Sequence, residues 1–284
     1  MELITAEKKK AKIKMCITGP SGSGKTYSSI LLASGLYPDY SKIAVIDTEN
    51  ESAHLYSHLG PYQVVSISAP FTPERYIEAI ELCVSKGMEV IILDSITHEW
   101  EYLLEYHSSL PGNSFTAWGK VNPRHQAFIQ KMLQAPVHII ATTRTKTEYV
   151  LADKNGKMVP EKVGMKSIQR ENIEYEFVIV LDLDIRHNAT ASKDRTGLFI
   201  EKPEFKITPL AGLQIAKWAM EDLQPRIEHI KARISGCNTS FELLGLYNQY
   251  PEFRDLLLPF FESRKQEILS HQITPKKQQE HVNR

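Results

Sequence analysis

The stretch Gly19-Pro20-Ser21-Gly22-Ser23-Gly24-Lys25-Thr26 satisfies G-x-x-x-x-G-K-[ST] at every fixed position. Glycines at this spacing let backbone N–H groups curl around phosphate oxygens, and a helix start adds partial positive charge. Lys25 would then reach the β- and γ-phosphates of a nucleoside triphosphate, and the Thr26 hydroxyl would bind Mg²⁺. A chance glycine-rich turn is the alternative. The apolar run before the motif and the helical pattern after it argue for the phosphate loop. Downstream, Val90-Ile91-Ile92-Leu93 ends in Asp94. A carboxylate closing an apolar strand sits at the sheet edge beside the phosphate loop, where it can hold magnesium through water. A second apolar strand, Ile43-Ala44-Val45-Ile46, ends in Asp47-Thr48-Glu49. Triphosphate hydrolysis needs a carboxylate to orient or deprotonate water, and Glu49 is the candidate. Capping of the next helix is the alternative role for Glu49, and Asp47 and Glu51 are lesser candidates for the base.

These groups need a sheet to gather them. Residues 13–18, 42–47, 63–67, 89–94, 137–142 and 176–184 read as strands, most of them too apolar for a sheet wetted on one face. Residues 26–36, 73–86 and 123–134 carry apolar residues at helical spacing between them. Alternation of this kind implies an α/β fold, a mostly parallel sheet flanked by helices. Residues 108–123, with Pro111, Gly112, Asn113 and Gly119, read as a long loop; 146–168 reads as another, with a turn at Asn155-Gly156. After Ala219 the pattern turns helical. The expected organisation is a loose leader (1–11), an α/β core (12–220), a small helical appendage (221–273) and a disordered tail (274–284).

The order phosphate loop, then Ile46-Asp47-Thr48-Glu49, then four apolar residues with Asp94-Ser95 resembles the RecA/RadA-type ATPase core over residues 12–218, in a minimal form similar to phage and mobile-element proteins that assist single-strand annealing. The resemblance implies ATP and Mg²⁺ as ligands and Glu49 as catalytic base. It aligns His138–Arg144 with the family's sensor strand, between the strand that leads into the phosphate loop and the strand that ends in Asp94, and puts Thr142 where recombinases place a γ-phosphate-sensing Gln. A hydroxyl has a shorter reach for that task. Lys193-Asp194-Arg195-Thr196-Gly197 resembles the K-x-R-x-G segment of ring ATPases, whose Lys and Arg complete a neighbour's ATP site. That role implies a homo-oligomer, ring or filament, with ATP at its interfaces. A solvated charged turn is the alternative.

By the same resemblance, the loop after the sensor strand touches single-stranded DNA. Here it holds Lys146, Tyr149, Lys154, Lys157, Lys162, Lys166 and Arg170: cations for phosphates and a ring for a base. Phe115, Trp118, Lys120 and Arg124 form a second candidate. An ordinary solvated loop is the alternative for both. Equal totals of Lys+Arg and Asp+Glu, 34 each, exclude binding of nucleic acid by bulk charge but leave local patches open. Three separated cysteines, Cys16, Cys83 and Cys237, provide no disulfide framework. No apolar run approaches the roughly 20 residues of a membrane span. The expectation is a cytoplasmic protein with no membrane partner. The leading function is a magnesium-dependent ATPase in DNA recombination, repair or replication. A nucleotide-switched adaptor, whose C-terminal helices bind a partner protein, and a small-molecule kinase are the alternatives.

Overall fold

A computed structural model of the chain describes residues 11–154, 157–219 and 224–273. Of the expected leader and tail, residues 1–10 and 274–284 lie outside these, as does the expected turn at 155–156. The chain divides into two compact units, 1–221 and 222–284.

Among the described residues the first unit forms β1 (Lys14–Gly19), α1 (Lys25–Leu36), β2 (Ile43–Asp47), β3 (Gln63–Ser66), α2 (Pro73–Ser85), β4 (Val90–Asp94), α3 (Thr97–Ser109), α4 (Ser114–Gln134), β5 (His138–Lys154), β6 (Lys157–Ser167), β7 (Ile179–Leu183), β8 (Ala189–Asp194) and α5 (Pro209–Trp218). The strands join in the order β3-β2-β4-β5-β1-β7-β8, with β6 on β5. All pairings from β3 to β7 are parallel; β8 and β6 pair antiparallel. Side chains of successive strand residues enter two apolar layers. Met15, Ile17, Val45, Ile92 and Ile140 pack with Ile30, Leu32 and Ile215 on one face. Cys16, Ile46, Ile91, Leu93 and Ile139 pack with Tyr76, Ile80, Phe128 and Met132 on the other. Cover on both faces is why the central strands lack polar alternation.

Two expected loops are regular structure. Residues 114–123 belong to α4: Asn113 Oδ1 accepts the Thr116 N–H at 2.9 Å as N-cap, and Ala117, Val121, His125 and Phe128 share the buried face. Turn-forming residues there mark a helix start rather than a loop. Residues 146–167 extend β5 beyond the sheet and return as β6, a hairpin paired from Thr145↔Ser167 to Lys154↔Lys157 with a register shift between Glu148 and Tyr149. Its length offsets polar composition, because the ladder satisfies its own backbone groups.

The second unit is helical: α6 (Gln224–Gly236), α7 (Ser240–Gln249) and α8 (Arg254–Ile273). Thr239 and Glu242 form a capping box that starts α7. Leu243 and Leu246 are buried, whereas Phe241 is 86% exposed. Among the described residues no helix is long and apolar enough to cross a membrane.

Helix α1, which follows the phosphate loop, is seated against α5 at two glycines. A Cβ on Gly212 would lie 2.1 Å from the Leu32 carbonyl oxygen, and one on Gly35 would lie 1.9 Å from that of Pro209. Both obstacles are backbone, so neither can step aside. Gly212→Ala should therefore cost about 1–3 kcal/mol by overpacking. Denaturant melts would read this, and an unchanged midpoint would mean the helices separate freely.

Candidate functional site

The ends of β1, β2, β4 and β5 meet at one sheet edge, around a cleft of about 700 Å³ lined by Lys25, Thr26, Glu49, Asp94 and Arg144, among others. The phosphate loop forms its floor. Gly22 and Gly24 have φ of 80° and 83°, a region that glycine enters without strain. Gly24 caps α1 with no side-chain bond to the first-turn N–H groups. Those donors remain for an anion. Ser23 Oγ is buried in the loop with no hydrogen-bond partner. Lys25 Nζ folds back onto the carbonyl oxygens of Gly19 and Pro20, at 2.9 and 3.0 Å. Burial lowers its pKa; Asp94 and Glu49 oppose that shift and Arg144 reinforces it. A half-buried ammonium resting on two carbonyls, in a loop with unused donors, fits a phosphate chain.

Asp94 closes β4 beneath the loop. Its Oδ2 accepts from Thr26 Oγ1 and its Oδ1 from Thr142 Oγ1, both at 2.5 Å. Burial raises its pKa, the two hydroxyls oppose the rise, and Glu49 and Asp47 add to it. A hydroxyl and a buried carboxylate side by side are the hard oxygen donors that Mg²⁺ takes. Thr142 departs from expectation. Its side chain is fully buried and spends its hydroxyl on Asp94 rather than facing the cleft. It aligns the carboxylate, and the β5 residue that lines the cleft is Arg144.

Asp47 is no rival to Glu49. Its carboxylate accepts the N–H groups of Glu49 and Ala53, at 2.6 and 2.8 Å, and so shapes the turn that presents Glu49. Glu51 is exposed, with a φ of 62°. Glu49 itself is gripped from three sides. Oε1 accepts from Arg144 Nε at 2.9 Å and from Ser95 Oγ at 3.0 Å, and Oε2 pairs with Arg144 Nη2. His98 Nε2 lies 4.0 Å from Oε1, while its Nδ1 is 2.8 Å from Thr48 Oγ1. Burial pushes the Glu49 pKa up, but Arg144, His98 and Ser95 together hold it below the usual carboxylate range.

Residues 11–206 match the family described as an AAA domain. The chain belongs to that family. No curated protein matches it. The AAA domain is a P-loop nucleotide-binding module, and nucleotide binding and hydrolysis is the activity its membership carries. Further residues line the cleft of this AAA domain without having been singled out in the sequence. Tyr27 and Tyr56 meet edge to face at 5.8 Å, and His187 Nδ1 lies 2.9 Å from the Ser23 carbonyl oxygen. Lys206 completes that rim.

The remaining candidates lie elsewhere. Lys193 pairs with Val180 near the start of β7, toward the sheet edge opposite the phosphate loop. Its Nζ donates to the carbonyls of Glu174 and Tyr175, at 2.7 and 2.8 Å; Arg195 Nη2 approaches the latter at 3.4 Å. Neither is placed to serve the cleft of its own chain. Lys146 is exposed at the base of the hairpin, Lys166 pairs with Glu171 at 3.0 Å, and Arg170 is half-buried. Tyr149, Lys154, Lys157 and Lys162 pair through their backbones in the hairpin, and their side chains lie outside the described residues.

The Glu49–Arg144 pair has a pH signature. A carboxylate whose pKa is lowered by folding contributes stability that is complete above its unfolded value. That contribution is lost as pH falls through the folded value. Arg144→Ala should therefore be less stable than wild type at neutral pH. The gap should narrow as pH drops below about 4. Urea midpoints measured across that range would show it; a gap independent of pH would mean the pair adds nothing.

Proposed function

We propose that this AAA domain hydrolyses ATP with Mg²⁺ in the manner of RecA-type ATPases and works as an oligomer on single-stranded DNA in recombination, repair or replication. The observation that carries the reading is the position of β5 between β1 and β4, with Glu49 across the cleft from Lys25. This arrangement suits water attack on a γ-phosphate held by the loop.

The residues divide the work. In the loop Gly19–Thr26, the N–H groups of the residues other than Pro20 and the Lys25 ammonium hold the phosphates. Thr26 and Asp94 would hold magnesium, which neutralises phosphate charge when bound. Thr142 keeps Asp94 aligned. Glu49 orients water and takes its proton. Tyr27 and Tyr56 offer ring surface at the rim for a nucleobase. Lys193 and Arg195, on the far edge of the sheet, would act on a neighbouring subunit's nucleotide, where charge on the transferring phosphoryl group needs a cation. Their distance from their own cleft also speaks against the lid that a small-molecule kinase requires.

For DNA, the exposed Lys146 at the foot of the β5–β6 hairpin and Phe115, 87% exposed at the start of α4, supply a cation and a stacking face. The adaptor reading draws support from the gripped carboxylate of Glu49, which suits slow turnover. Exposed Phe241, Leu244 and Leu256 in the second unit also favour it, as a surface for a partner protein.

Steady-state ATPase assays with and without single-stranded DNA separate the two. The recombination reading expects stimulation by DNA, no turnover in Lys25→Ala, and retained ATP binding with turnover reduced at least about 10²-fold in Glu49→Gln. Turnover indifferent to DNA would favour the adaptor. Mixing Arg195→Ala with Lys25→Ala subunits should restore part of the activity if the site is shared, and no recovery at any ratio would refute sharing.

A further inference from the structure

We infer that Arg144 is a positioning residue that exchanges partners during the catalytic cycle: it holds Glu49 as seen in this structure and passes to the γ-phosphate when a triphosphate enters, releasing Glu49 for water. The inference rests on Glu49 being the hydrolytic base and adds what controls it.

The grip on Glu49 is incompatible with that task as it stands. Both carboxylate oxygens accept from the Arg144 fork, and Oε1 also accepts from Ser95. A base must offer a lone pair to the attacking water, and a bidentate guanidinium both occupies these oxygens and weakens them as acceptors of a proton. Something has to draw the fork away.

The same geometry supplies it. Arg144 lines the cleft with Lys25 and Thr26. Its backbone cannot move far. The N–H donates to Thr97 Oγ1 at 2.9 Å, the carbonyl accepts the Ile168 N–H at 2.7 Å, and the residue pairs with Gly19, the first residue of the phosphate loop. The side chain, 39% exposed, is held by Glu49 instead of by the backbone ladder. Exchange would therefore come from rotation of the side chain, turning the guanidinium from one anion to another within the cleft that it lines. A triphosphate carries several negative charges where Glu49 carries one, and the fork of an arginine matches phosphate oxygens as well as carboxylate. ADP lacks the group that would complete the exchange, so the fork would close again on Glu49 after hydrolysis.

Calorimetric affinities for Mg-ADP and for the Mg complex of the non-hydrolysed β,γ-imido analogue of ATP test this in wild type, Arg144→Gln, Arg144→Lys and Glu49→Gln. Arg144→Gln should weaken the triphosphate analogue about tenfold or more while ADP changes less than about twofold. Arg144→Lys should recover part of the loss by restoring the charge. Glu49→Gln, which loosens the fork, should tighten the analogue and leave ADP alone. Preserved ADP affinity also reports an intact fold. Equal losses for both nucleotides, or none, would overturn the exchange. Hydrolysis assays read the base separately. Loss of turnover in Glu49→Gln with unaltered discrimination in Arg144→Gln would keep the base and refute the switch. Turnover retained in Glu49→Gln would refute the base itself.

Discussion

Every functional group in the cleft depends on one constraint, the insertion of β5 between β1 and β4. Parallel pairing of Gly19 with Arg144 and of Leu93 with Ala141 brings three strand ends to a single edge. A two-residue period then sorts the side chains. Ile139 and Ala141 face the α2–α4 layer, while Ile140 faces the layer of α1. Thr142 and Arg144 continue the second series. Thr142 is still beneath the edge and holds Asp94; Arg144 has passed it and enters the cleft. Shifting β5 by one residue would send both to the other face.

The cleft that results is built of charges restrained by one another. Asp94 is buried yet satisfied by two hydroxyls, and Lys25 rests on carbonyl oxygens of its own loop. Glu49 and Arg144 neutralise each other at the entrance. Each of these interactions can be exchanged for one to a phosphate or a hard cation without moving the backbone. That is how a nucleotide site can be organised before its ligand arrives, at small cost in reorganisation. The ATPase of an AAA domain and the proposed partner exchange at Arg144 both draw on this property.

The α/β architecture was legible because it rests on local signals. Apolar runs marked the strands, and G-x-x-x-x-G-K-[ST] marked the loop, since its chemistry is carried by contiguous residues. Asp94 was legible as the end of such a run. Other features failed for identifiable reasons. Asn113 caps α4 but sits among turn-forming residues, so a helix start looked like a loop. The β5–β6 hairpin is polar, and its order comes from a ladder that pairs distant residues, which composition does not display. The bond of Thr142 to Asp94 was not legible, because the two residues lie 48 apart in the chain. The partnership of Glu49 with Arg144 spans 95 residues and was invisible for the same reason. Strand alternation from Ile140 is the signal that could have found Arg144, the charged residue two steps beyond Thr142.

The central claim is that a triphosphate takes Arg144 from Glu49. A crystal structure of the chain with Mg²⁺ and the β,γ-imido analogue of ATP measures this directly. The account predicts the guanidinium within hydrogen-bond distance of the γ-phosphate, the Glu49 carboxylate released from the fork, and Thr142 still on Asp94. A closed Glu49–Arg144 fork beside a fully bound triphosphate would contradict it.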